Sequence, residues 1–237
     1  MTDASNMTPA LLFPGQGAQA EGMGKDWAEA YPEARAVWAE ADEVLGFSLT
    51  KACWESGDEV NRTDIAQPGI FTTGVAIIRV LEARGFERFS APMTAGLSLG
   101  EYTAHWAAGT FDFASGIKLV RLRGEAMQAA SEANPSGMMS LMGATEEQAA
   151  ALAAVGAVHG VCQVANLNAP GQLVVSGEFP ALDAVEAAAK DHGVRRVRRL
   201  VVAGGFHSEC MRPAADKLAA ALAETDLQAP KIRVISN

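Results

Sequence analysis

Gly96-Leu97-Ser98-Leu99-Gly100-Glu101-Tyr102 is the stretch that decides how this chain is read. Met93-Thr94-Ala95 before it has the pattern of a short buried strand, and Glu101 to Ala108 after it that of a helix ended by Gly109. A G-x-S-x-G pattern between strand and helix is a nucleophile elbow, in which the serine sits on a strained backbone with its hydroxyl exposed. Glycines flank it because side chains there would collide with the neighbouring strand and helix. The strain costs about 1–3 kcal/mol and persists only where the surroundings impose it. It brings a hydroxyl to a helix N-terminus, where amide donors and the helix dipole stabilise a developing oxyanion. A bare G-x-S-x-G also arises by chance in glycine-rich chains, but the strand-to-helix context favours catalysis, with Ser98 as nucleophile.

Around this stretch lies a chain of 237 residues, long enough for one large core or two smaller ones. Hydrophobic residues make up 49% and charged residues 20%, yet no run approaches the roughly 20 apolar residues of a membrane span. The polar start, Met1 to Asn6, lacks a basic region and a long apolar run, so it reads as a frayed tail and the expected location is the cytoplasm. Cys53, Cys162 and Cys210 are odd in number and scattered, which fits reduced thiols and neither a disulfide framework nor a metal site. A net charge of −9 argues against nucleic acid and anionic membrane as partners.

Periodicity divides the chain into two kinds of architecture. Leu11-Leu12-Phe13 reads as a strand broken by the Pro14-Gly15-Gln16-Gly17 loop, followed by helices at Pro32–Leu45 and from about Gln67 to Arg84. After the elbow, a helical pattern runs from Phe113 to about Ala133 with Arg121, Arg123, Glu125 and Gln128 on its polar face. Asn134 to Gly137 marks a boundary, and from there shorter elements follow in the order βαββαβ: strands near 138–142, 161–164, 172–176 and 194–202, helices after Thr145 and from Pro180 to His192. That order is the ferredoxin-like split βαβ unit. The expected fold class is therefore α/β, with a catalytic region at 8–136 and 204–237 and a ferredoxin-like insert at 137–203.

With these pieces in place, the chain resembles the malonyl-CoA:acyl-carrier-protein transacylases of fatty-acid synthesis and the acyltransferase domains of polyketide synthases. The landmarks are Leu12 to Gln19, Gln67-Pro68, Gly96 to Tyr102, Arg123-Gly124 with Met127-Gln128, Asn166 to Gln172, and Phe206-His207-Ser208. The resemblance implies an α/β-hydrolase-like large subdomain with a short parallel sheet, and ping-pong acyl transfer with no bound cofactor. Carried over by position, Ser98 is the nucleophile and His207 its base, and the backbone amides of Gln16 and Leu99 hold the oxyanion. Arg123 clamps the free carboxylate of malonate, since a guanidinium offers two parallel donors and stays charged. Gln67 supports the site, and the backbone carbonyl of Asn237 orients His207. Phe206 leaves little room for an α-methyl branch, which favours malonyl over methylmalonyl. The substrates implied are malonyl-CoA and the phosphopantetheine thiol of acyl carrier protein.

Two departures stand out against that family. Leu97 replaces a histidine common in the elbow motif. Family members also continue beyond the position of Asn237, so a C-terminally truncated form with uncovered core surface is the expectation. The run Arg195-Arg196-Val197-Arg198-Arg199 reads equally as a docking strip for an acidic carrier and as a charged edge strand that resists aggregation. Alternatives to malonyl transfer are a serine thioesterase or esterase, which needs no Arg123, and an inactive binding partner, in which Ser98 is never acylated.

Overall fold

The computed structural model describes residues 9–237. The Met1–Asn6 tail and position 8, the expected start of the catalytic region, lie outside the described residues. The chain forms two compact units, one from the residues up to Gly124 with Ala220–Asn237, the other Glu125–Ala219.

In the first unit, β1 (Leu11–Phe13), β2 (Met93–Gly96) and β7 (Arg233–Ile235) make a parallel sheet in the order β1-β2-β7. Helices α1 (Lys25–Ala30), α2 (Pro32–Leu45), α3 (Leu49–Trp54), α4 (Thr63–Glu82) and α5 (Gly100–Ala107) join it, and α6 (Phe113–Ala133) begins in it. Helix α2 has the expected bounds: Pro32 opens it, Gly46 ends it in a left-handed conformation, and Val37, Trp38 and Ala41 face the core. The core gathers Trp38, Leu49, Phe71, Trp106 and Ile117. Leu12, Ala95 and Ile235 lie in register across the sheet, with Leu12 74% and Ile235 37% exposed.

Helix α4 begins at Thr63, ahead of the expected Gln67, and runs through Pro68. Proline has no N–H, so the carbonyl of Asp64 is left without its intrahelical donor. The Arg121 guanidinium donates to that carbonyl and pairs with the Asp64 carboxylate at 3.3 Å. A residue that reads as part of a solvated face thus completes a helix that proline interrupts.

The second unit contains β3 (Ser136–Met142), α7 (Glu146–Ala157), β4 (Cys162–Ala169), β5 (Gln172–Glu178), α8 (Phe179–Ala188) and β6 (Arg196–Arg199). The strands form an antiparallel sheet in the order β4-β5-β3-β6, the arrangement of the split βαβ unit. On one face Met139, Leu141 and Val175 share a core with Leu152 of α7 and Leu182 and Val185 of α8. On the other, Met138 and Val174 cluster with Met127, Phe206 and Met211. Helix α9 (Arg212–Glu224) follows. Strand β6 is shorter than the expected 194–202, and its ladder pairs only with Met139–Met142 of β3. All three cysteines are buried free thiols, and burial pushes that of Cys53 to a pKa of about 12. Among the described residues no helix is long and apolar enough to cross a membrane.

Candidate active site

The elbow is formed by backbone closely packed on backbone. A Cβ at Gly96 would run into the Gly100 peptide, and one at Gly100 into the carbonyl oxygens of Phe13 and Pro14. With glycine at both positions, α5 starts directly against β1 and β2. Ser98 is held at φ 50° at that junction. Leu99, fully buried, precedes α5, and its amide is among the first N–H groups of a helix, which have no intrahelical acceptor. Leu97 donates its N–H to the Phe13 carbonyl and leaves its side chain exposed.

A polar chain reaches Ser98 from α4 and α6. Arg123 Nη2 donates to Ser98 Oγ at 3.0 Å, and Nη1 donates to Gln67 Oε1 at 2.7 Å. Gln67, fully buried, donates from Nε2 to Gln16 Oε1 at 3.4 Å, and Gln16 donates to Thr63 Oγ1 at 3.3 Å. Gly124 makes this possible, because a Cβ there would strike the backbone of Thr63 and Asp64 where α6 crosses the start of α4. Burial pushes the Arg123 pKa down, opposed by the charges of Tyr102 and Glu101. The Tyr102 ring lies 5.7 Å from the guanidinium, and burial raises its phenol pKa. Among the described residues Arg123 forms no ion pair. A guanidinium retains its charge even when buried, so this arrangement suits an incoming anion.

The last residues of the chain brace the elbow from the other side. Asn237 Oδ1 accepts the Ser98 N–H at 3.0 Å, while Nδ2 donates to the Gly96 carbonyl at 2.7 Å and to Glu101 Oε2 at 2.7 Å. Ser236 donates its hydroxyl to the same Glu101 carboxylate. The resemblance implies a role for the Asn237 main-chain carbonyl; the clasp on the elbow is made by its side chain, which no local motif signals. Glu101 was missed as well, although an acid in the first turn after a nucleophile is a visible signal.

His207 and Phe206 belong to the second unit. His207 has φ 59°, and among the described residues it and Ser98 are the only non-glycine residues with positive φ. Such backbone persists only where neighbours enforce it. Here Gly205 N–H donates to Ser136 Oγ at 2.8 Å, Ser208 Oγ donates back to the Gly205 carbonyl at 2.6 Å, and Glu209 N–H donates to Gln163 Oε1 at 2.7 Å. The imidazole-bearing residue is exposed, while Phe206 beside it is 6% exposed within its cluster. Of the other histidines, His105 contacts Thr110 at 3.1 Å on α5.

The structure therefore brings Gln16, Gln67, Ser98, Leu99, Arg123 and Asn237 together in one unit and puts Phe206 and His207 on a strained turn of the other. Comparison with known proteins identifies the family of the chain as a whole. The acyl transferase domain family matches residues 10–237. The malonyl CoA-acyl carrier protein transacylase of Bacillus subtilis is 39% identical over 230 residues, covering 96% of this chain and 72% of the relative. A crystal structure of an acyl carrier protein S-malonyltransferase from Vibrio cholerae superposes with a TM-score of 0.90 at 40% identity, covering 98% of this chain and 75% of that one. A malonyl-transacylase solved in complex with its type II polyketide-synthase acyl-carrier protein matches with a TM-score of 0.89 at 37% identity, covering 96% of this chain and 74% of that one. By residue match, identity and fold, this chain belongs to the acyl transferase domain family.

Proposed function

We propose that the chain transfers a malonyl group from malonyl-CoA to the phosphopantetheine thiol of acyl carrier protein, as an acyltransferase of fatty-acid synthesis. The observation that carries this reading is the buried Arg123 guanidinium bonded to Ser98 Oγ and held by Gln67. A cation next to a nucleophile selects an acyl group that ends in a carboxylate, and a bidentate pair orients it.

In the first half-reaction Ser98 Oγ attacks the thioester carbon and its proton passes to His207. The C–S bond breaks, and coenzyme A leaves as the thiol with the proton His207 returns. Oγ accepts from Arg123, so its own O–H acts as the donor to a base. The amides of Leu99 and Gln16 stabilise the tetrahedral oxyanion, each such donor contributing about 3 kcal/mol. In the second half-reaction the carrier thiol gives its proton to His207 and attacks the ester; the ester C–O bond breaks and Ser98 regains its proton. Phe206, packed among Met127, Met138 and Met211, cannot easily swing aside for an α-methyl branch, which favours malonyl. Asn237 holds the elbow. The 137–203 region acts as the ferredoxin-like insert. The leaving thiol is part of coenzyme A and the accepting thiol part of the carrier, so no bound cofactor is required, and the reaction belongs to the cytoplasm.

Intact-protein mass after brief exposure to malonyl-CoA tests this. The wild type should gain one malonyl group, Ser98→Ala none, and Arg123→Ala should acylate about 10²- to 10³-fold more slowly. An adduct formed equally well without Arg123 and lost to water would instead support a thioesterase. Absence of any adduct on folded protein would support the binding-partner reading.

A further inference from the structure

Glu101 lies in the first turn of α5, just after the elbow, and its carboxylate gathers donors from the two residues that follow β7. Ser236 donates its hydroxyl to Oε1. Asn237 donates to Oε2 twice, from its backbone N–H at 3.4 Å and from its side-chain Nδ2 at 2.7 Å. His105, one turn along α5, brings Nε2 within 3.9 Å of Oε1, too far for a hydrogen bond. The Glu101 side chain is 23% exposed, so most of it is spent inside this junction. None of these bonds involves a reacting atom.

What they control is the direction of one amide. An asparagine side chain has an acceptor at one end and two donors at the other, and an ionised carboxylate can only accept. With the Glu101 carboxylate and the Gly96 carbonyl beside it, Nδ2 faces two acceptors, and Oδ1 is turned to accept the Ser98 N–H at 3.0 Å. The reverse orientation would set Oδ1 against two oxygens and the NH2 group against an N–H. The Ser98 N–H belongs to a residue held at φ 50°, a conformation that persists only where neighbours impose it. Of the two acceptors that fix the amide, Glu101 carries the charge, and a hydrogen bond to a charged group is about twice as strong as a neutral one.

We infer that Glu101 is a positioning residue for acyl transfer: acting through Asn237, it fixes the Ser98 backbone and with it the direction of the nucleophile. The inference rests on the acyl-transfer reading above. A negative charge in the first turn of a helix is also favoured by the helix dipole, so the same residue suits α5. Glu101 has a second route to the site, because its charge supports that of Arg123. That route does not pass through Asn237, so removing Asn237 separates the two.

The experiment is a double-mutant cycle on wild type, Glu101→Ala, Asn237→Ala and the double variant, with Glu101→Gln as the milder change. Two reactions of Ser98 are timed per folded molecule, with urea unfolding alongside. One is malonylation by malonyl-CoA. The other is labelling by an alkyl fluorophosphonate, in which Oγ attacks phosphorus, fluoride leaves and the hydroxyl proton passes to a base; it needs a positioned nucleophile but no carboxylate clamp. Glu101→Ala should lower the maximal malonylation rate and the labelling rate about tenfold each, while half-saturation by malonyl-CoA stays within about twofold. Glu101→Gln keeps one acceptor oxygen and should lose about threefold. The double variant should match Asn237→Ala within about twofold, since Glu101 then has no amide left to orient.

Losses that multiply in the double variant overturn the inference, by assigning Glu101 to Arg123. Lowered stability with unchanged rates per folded molecule overturns it by leaving Glu101 a purely structural role. Weaker half-saturation at an unchanged maximal rate also overturns it, by making Glu101 a substrate contact. Wild type that takes the fluorophosphonate but no malonyl group would refute the acyl-transfer reading itself, and the labelling cycle would still decide whether Glu101 positions Ser98.

Discussion

The parallel sheet beneath the elbow is built from strands of three, four and three residues, whereas the antiparallel sheet uses strands of seven, eight, seven and four. The short strands offer few ladder bonds, and the order around Ser98 comes from side chains: Arg123 and Asn237 reach it across 25 and 139 positions. The longer strands instead carry more ladder pairs, with β4 and β5 joined in a hairpin and β3 pairing with both β5 and β6, and α7 begins with its own capping box. One region is ordered by a few single side-chain bonds, the other by many repeated ladder pairs and a locally capped helix. The first therefore concentrates both its chemistry and its vulnerability in a few polar atoms.

Two glycine substitutions should show that difference most strongly. Gly100→Ala puts a Cβ onto the carbonyls of Phe13 and Pro14, and α5 cannot move without dragging Ser98 with it. We expect transfer activity to fall by about 10³-fold or more, with about 2–4 kcal/mol of stability lost in urea unfolding. Gly143→Ala, in the second unit, meets open space and costs only the positive-φ strain of its 79° backbone, about 1 kcal/mol. Malonyl transfer by that variant should be unchanged. Comparable losses from both would mean that the elbow is no more tightly determined than an ordinary turn.

Removing the clasp should have an intermediate effect. Asn237→Ala deletes the acceptor for Ser98 N–H and the donor to the Gly96 carbonyl together. A misplaced nucleophile affects the chemical step, so kcat should fall about 10- to 100-fold while KM for malonyl-CoA stays within about twofold. A raised KM at constant kcat would make Asn237 a substrate contact and not a positioning residue.

Much of this was legible beforehand, and the exceptions share a physical cause. The elbow, the bounds of α2 and α6 and the βαββαβ order follow from glycine placement, caps and periodicity, which operate within a few residues. The early start of α4 was hidden because Pro68 signals a helix opening, and only Arg121, distant in sequence, takes over the carbonyl that proline leaves. Asn237 and Glu101 were hidden for the same reason: their partners are brought near by pairing of β2 with β7, which short strands signal weakly.

The Arg121 contact yields a pH-dependent test. Burial raises the pKa of the Asp64 carboxyl, but the hydrogen bond from Arg62 and the charges of Arg121 and Arg62 outweigh it and hold it below the ordinary 3.8. Folding thus favours the charged form. The contribution is complete above the ordinary value and is lost as pH falls through the lowered one. Asp64→Asn should cost about 1–3 kcal/mol at pH 7, and its stability should fall less steeply than that of wild type in acid below about pH 4. Parallel acid limbs in urea unfolding from pH 3 to 7 would remove Asp64 from this account.

The smallest effect is expected where specification is most local. Thr145 accepts the Gln148 N–H at 3.2 Å, and the Gln148 side chain accepts the Thr145 N–H at 2.9 Å, so each satisfies a donor that the start of α7 leaves open. Thr145→Ala removes one of the two bonds and should cost about 1 kcal/mol, with transfer activity unaffected. Gln148→Ala should cost more, because Nε2 also donates to the His192 carbonyl at 2.9 Å and ties α7 to the turn after α8. If Thr145→Ala instead impaired transfer, the second unit would be as sensitive as the elbow, and the contrast between a site held by single polar atoms and a sheet held by many ladder pairs would fail at the position where it is simplest to measure.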